Sequence, residues 1–308
     1  MHTQRKPAEL RLVNGTDTIV IRPRNAGALD PILCKQWDLG APEVRTTSVA
    51  NPGADGVTLS DGFVGSRTVT LDLAIMGGAD PITGQVHDAY WYAAKLTQMA
   101  HPKASPRLLI TRDDELNAGK TWAMDLRGSP YSLPFTSRSA SVLDLQLTFT
   151  CPLGLIEGPL QSFTTAASSD ETGQTDLDLP MLTPFTFGLI GSKYPRLTLD
   201  VGGDSTVAPV IYIAGPVADP NVISGPDKFA FKGLTLKAGQ AVQVDMATGD
   251  VRLGDLVSGQ ITDDMGAYNT VDWAVSTFWQ WAPGPHTILY RNTSGNVTVQ
   301  YRERRLTI

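Results

Sequence analysis

The runs "RTVTLDLAI" and "SVLDLQLTFT" place an apolar side chain at every second residue: Val69, Leu71, Leu73 and Ile75 in the first, Leu143, Leu145, Leu147 and Phe149 in the second. In extended backbone a period of two sends each such set to one face of a strand. A face this apolar must be covered by another sheet or by a helix, so the chain is restricted to layered β architectures. "HDAYWYAAKLTQMAHP" has a different period, with Ala89, Tyr92, Ala93, Leu96 and Met99 on one helical stripe and Pro102 as a stop. One principal helix covering a sheet is expected in the first half.

Further short strands are expected at "ELRLVNGTDTIVIRP", as a hairpin around "NG", and at "RLLI" and "TWAMDLRG". After the turn-rich stretch "TTAASSDETGQTDLDLP" (164–180), read as a linker or exposed arm, come "PRLTLDV", "APVIYIAGP", "KFAFKGLTL", "AVQVDM", "HTILYR" and "VTVQYR". Short strand signals punctuated by Gly, Pro, Asn and Asp point to an antiparallel sandwich. The last two are expected to pair as a closing hairpin, Ile288 and Tyr290 on one strand against Val297, Val299 and Tyr301 on the other. The length of 308 residues suits two domains, taken as 1–155 and 156–308, and the 29 Gly and 21 Pro suit many turns. The expected fold class is mainly β, an α+β first domain with one main helix followed by an antiparallel β-sandwich.

Charge and motifs narrow the function. With 25 Lys and Arg against 31 Asp and Glu, and no long basic tract, DNA is a poor first guess as a direct ligand. The opening "MHTQRKPAELRLVNG" lacks the apolar run of a secretory signal, and no long apolar span follows, so a soluble protein made in the cytoplasm is expected. There is no phosphate loop, dinucleotide fingerprint, HExxH or close Cys/His set. No catalytic, cofactor-binding or metal-binding residue is assigned, and no cofactor is expected. His87, Asp88 and His101 flank the helix and read best as capping or packing groups; "RDDE" (112–115) and Asp263–Asp264 read best as solvated carboxylates. Cys34 and Cys151 allow one long-range disulfide or two reduced thiols. The aromatic cluster Trp273, Phe278, Trp279 and Trp281 suits either packing or a carbohydrate platform.

The order of these segments resembles the siphophage distal tail proteins, above all in "LKAGQ", "VDMATGDV" and the ending "STFWQWAPGPHTILYRNTSGNVTVQYRERRL". The resemblance departs at His286, where related endings commonly carry asparagine. It implies a ring-forming first domain and a galectin-like second one, in a homo-hexamer at the virion tail tip. That ring would join the tail tube protein to a tail hub or tail-associated protein and, in some phages, to a receptor-binding protein, while DNA passes through without sequence recognition. On this reading the protein is structural and not an enzyme. Arg67, Val69 and Leu71 are candidate ring-interface residues, against the plainer reading of Arg67 as a solvent-facing strand charge. Trp279, Trp281, Tyr290 and Tyr301 are candidates for C-terminal packing or docking. The alternatives are a carbohydrate-binding module of a tail or cell-surface assembly and, below it, a hydrolase using carboxylates such as Asp263 and Asp264.

Overall fold

The computed structural model describes residues 9–23, 30–46, 48–50, 57–59, 63–112, 119–128, 135–138, 142–165, 194–257, 260–292 and 294–308. Most of the 164–180 stretch, and the carboxylates of 113–115, lie outside them. The protein is mainly β with large antiparallel sheets and, among the described residues, one α-helix. It divides into two compact units, Met1–Pro159 with Arg304–Ile308, and Leu160–Glu303. The chain therefore crosses between them twice.

In the first unit the two alternating runs are neighbours. Arg67–Ile75 pairs antiparallel with Leu143–Cys151 so that Val69 faces Phe149, Leu71 faces Leu147, Leu73 faces Leu145 and Ile75 faces Leu143. All eight side chains are buried, because matched parity brings both apolar sets to the same face. Arg67–Ile75 is also paired along its other side with Ile32–Asp38. It is an interior strand of the sheet, paired along both sides. Ile32–Asp38 in turn meets Asp17–Pro23 in parallel, and antiparallel pairing continues through Glu9–Asn14, Arg107–Thr111 and Thr121–Asp125. Between Asn14 and Asp17 the N-terminal hairpin turns on Gly15, whose φ of 62° is left-handed, so glycine relieves the strain of a tight turn.

The helix Ala89–Met99 buries Tyr92, Ala93, Leu96 and Met99 against this core, matching the stripe read from sequence. Asp88 starts it: its carboxylate accepts the Trp91 backbone N–H at 2.7 Å, satisfying a donor that the first turn leaves open. The helix ends against the sheet, and Gly128 permits the approach. A Cβ there would lie 1.9 Å from the Ala100 carbonyl oxygen.

The second unit is a sandwich. One sheet runs Asn296–Arg305, Val210–Ala214, Gln240–Asp245, Val251–Val257, Gln260–Gly266; the other runs Arg196–Val201, Gly284–Tyr290, Asn221–Ser224, Asp227–Ala230. Both contribute to one core. The closing strands are thus not a hairpin. Gly284–Tyr290 pairs with Arg196–Val201 and Asn221–Ser224, while Asn296–Arg305 pairs with Val210–Ala214. Alternation shows which face of a strand is buried but not which strand lies beside it. Here Ile288 and Tyr290 meet Val297, Val299 and Tyr301 as members of one buried cluster supplied by two sheets. The linking turn is held by side-chain bonds: Asn292 Oδ1 accepts from Asn221 N at 3.0 Å and Nδ2 donates to the Ala218 carbonyl at 3.1 Å.

Candidate functional site

Arg67 is the first residue of its strand and shares the parity of Val69 and Leu71, so its side chain is carried inward with theirs. It is 3% exposed. Nε donates to the Gly154 carbonyl at 2.6 Å and Nη2 to the Leu306 carbonyl at 2.7 Å. One planar guanidinium thereby ties the strand start to a turn and to the last residues of the chain, which belong to the same unit. Burial draws its pKa below the usual value, opposed by the nearby Cys151 sulfur; burial likewise pushes the Cys151 thiol up. Val69 and Leu71 are wholly enclosed. None of the three side chains is exposed. The parity of Arg67 was the signal in the sequence that it points inward.

The turn that receives Arg67 is tightly built. Gly154 has φ 63°, and a Cβ there would lie 1.9 Å from the Gly65 carbonyl oxygen. Beside it an open cleft is lined by Asp38, Glu43, Ser66 and Thr70 among others. Among the described residues no group of three or more His, Cys, Asp or Glu is placed to hold a metal ion. Cys34 and Cys151 are buried and form no disulfide; their thiols donate to the Gln36 and Leu155 carbonyls. His87 stacks on Trp91 with ring centroids 3.7 Å apart, Asp88 caps the helix, and His101 Nδ1 accepts from Lys103 N at the far end. Asp263 and Asp264 sit in the strand Gln260–Gly266.

Trp279, Trp281, Tyr290 and Tyr301 are all brought into the core of the second unit. Trp281 donates its indole N–H to Ser224 Oγ at 2.9 Å and exchanges two backbone bonds with Val207. His286 stacks on Trp281 and bonds the Ala282 carbonyl through Nε2, so the departure at this position is absorbed locally. Tyr301 donates to the Asp200 carbonyl. Tyr290 donates to the Ser294 carbonyl at 2.9 Å, and burial pushes its hydroxyl up to about 12.

That shift has a defined sign. A tyrosine in the unfolded chain ionises at about pH 10, so between pH 10 and 12 the unfolded chain releases the proton first. The stabilisation is complete below pH 10 and is lost as pH rises through 12. The window is worth about 3 kcal/mol, and Tyr290→Phe should flatten the alkaline decline of the urea midpoint by a corresponding part. An alkaline slope unchanged in that variant would refute the assignment.

Apart from Met76, the large exposed apolar side chains among the described residues of the first unit fall in two groups. Ile82, Val86, Tyr90 and Trp91 lie on the hairpin and first helical turn between residues 78 and 92. Val44 and Phe63 lie on the ribbon Val44–Arg45 with Phe63–Val64, and the exposed Leu153 immediately precedes Gly154, which packs on the same ribbon.

With both units and these surfaces in view, the comparison with solved structures is decisive for the fold. SPP1 Dit matches with a TM-score of 0.59 at 11% identity, covering 96% of this chain and 98% of that one. The fold is that of the phage Dit proteins. Chains of the phage P2 baseplate in its activated conformation match with TM-scores of 0.52 (with Ca) and 0.53 (with Sr), at 10% and 11% identity, over 97% of this chain and 99% of theirs. SPP1 Dit is described as a paradigm of the hub adsorption apparatus in phages infecting Gram-positive hosts. No protein-family model and no curated protein sequence matches the chain.

Proposed function

We propose that this protein is a structural connector at the distal end of a long non-contractile phage tail. The observation that carries the reading is the Dit fold over both units, since a match confined to one sandwich would support only a common module. The first unit forms a homo-hexameric ring between the tail tube protein and the tail hub, and DNA passes through its centre without being read. The second unit stands as a docking surface for receptor-binding or other tail proteins. The role is mechanical and not enzymatic.

Ring closure needs a heterologous contact, in which two different patches of one subunit meet on successive copies. The first unit presents two separate apolar groups, one around Val86 and Tyr90 and one around Val44 and Phe63. Arg67 serves the ring from behind, by fixing the turn at Gly154 beside the second group, while Val69 and Leu71 hold its strand in the core. Native mass measurement of the full chain, with negative-stain imaging of tails carrying a labelled copy, tests this. Six copies per particle and label at the tail tip are expected. A chain that stays monomeric and is missing from the tip would refute the reading.

A further inference from the structure

The aromatic cluster read from sequence divides in two. Trp279 and Trp281 are core, whereas Trp273 and Phe278 remain 47% and 36% exposed and are joined by Tyr268 at 50%. Their rings form a chain that starts in the core: Phe229, 1% exposed, contacts Phe278 at 5.4 Å, Phe278 contacts Trp273 at 6.1 Å, and Trp273 contacts Tyr268 at 4.8 Å. Successive rings are tilted by 40° to 52°, so each keeps part of a face open. Gly249, at φ 75°, lies beside the Phe278 ring, and its positive φ is the reason for glycine there.

The backbone beneath these rings is pinned. Asp272 N and Thr277 N donate to the carbonyls of Ala230 and Lys228, Lys232 N donates to the Thr270 carbonyl, and Ser276 Oγ bonds both N–H and C=O of Ala230. Exposed aromatic rings on a fixed backbone lose little freedom when they bind, which is the condition for a small ligand to gain affinity from apolar contact. The size of the patch selects the ligand. Three side chains of this kind, each about half exposed, present roughly 300 Å², against about 800 Å² per partner for a stable protein contact. That area suits one or two pyranose rings, whose C–H faces pack on aromatic rings. Asn269, exposed, and Asp272, half-buried, supply polar groups in the same loop for the hydroxyls.

We propose that Tyr268, Trp273 and Phe278 form a saccharide platform on the second unit. The proposal stands on this surface alone and holds whether or not the chain closes a ring. Its test follows the Trp273 indole N–H signal of the full chain, and in parallel the heat of binding, which is also readable in variants, during titration with cellopentaose, chitopentaose and maltopentaose up to about 10 mM. At least one should shift that signal saturably, and Trp273→Ala, at a half-exposed site, should keep its urea midpoint while weakening binding about tenfold or more. No response to any of the three, or binding of undiminished affinity in Trp273→Ala, would overturn the proposal. Loss of self-association in Trp273→Ala without a saccharide response would assign the patch to a second copy and overturn it as well.

Discussion

Replacing Arg67 with alanine is expected to lower the stability of the first unit by about 3–5 kcal/mol, since a buried and a part-buried carbonyl lose a charged donor at once. The Gly154 and Leu306 carbonyls, bonded at 2.6 and 2.7 Å, would each be left without the guanidinium that now meets them. The loss extends beyond the bonds. The stem of Arg67 fills space at the head of an apolar series, so truncation also opens a cavity beside Val69 and Cys151. Arg67→Lys keeps the charge but has one ammonium point where two forked donors are needed, and should recover no more than about half of the loss. Arg45→Ala provides the control. Its pair with Glu43 is exposed on both sides, at 69% and 59%, and should move the urea midpoint by less than about 0.5 kcal/mol. A loss below about 1 kcal/mol in Arg67→Ala would show that water replaces the guanidinium at little cost. If the ring contact depends on the turn at Gly154, the same variant should also assemble poorly.

Arg67 shows where the sequence was legible and where it was not. The strand and its inward face follow from alternation, because burial of one face demands a period of two, whereas its neighbour Leu143–Cys151 is known only from the fold. The helix stripe from Tyr92 to Met99 was legible for the same reason with a different period. What Arg67 bonds to was not legible: its acceptors are backbone carbonyls 87 and 239 residues away, and a carbonyl has no sequence signature. Pairing at the end of the chain failed for a related reason. A turn such as Asn292–Gly295 joins two strands equally well within one sheet or across two, and the choice rests on the distant partners Arg196–Val201 and Val210–Ala214. Exposure at the aromatic cluster was likewise set from afar, by the Phe229 contact and by the backbone bonds to Lys228 and Ala230.

Trp281→Ala is expected to cost the second unit about 3–5 kcal/mol, the range for emptying a fully packed aromatic site. Trp281 is 2% exposed, stands edge-on to Tyr301 with centroids 6.0 Å apart, and lies under the stacked His286. These neighbours come from strands with their own ladder partners, so they cannot all collapse into the space. A second loss accompanies the first. Ser224, 6% exposed, accepts the Trp281 indole N–H, and the variant leaves that hydroxyl in an apolar site without its donor. The two contributions can be separated. Trp281→Phe retains most of the volume and removes the donor, so it should cost about 1–2 kcal/mol, and Ser224→Ala in that background should recover part of it. Urea unfolding followed by near-ultraviolet circular dichroism reads all three. A Trp281→Ala variant as stable as the parent would mean that the residue closes an edge of the sandwich without filling its core, and the docking role would then outweigh the packing role for this side chain.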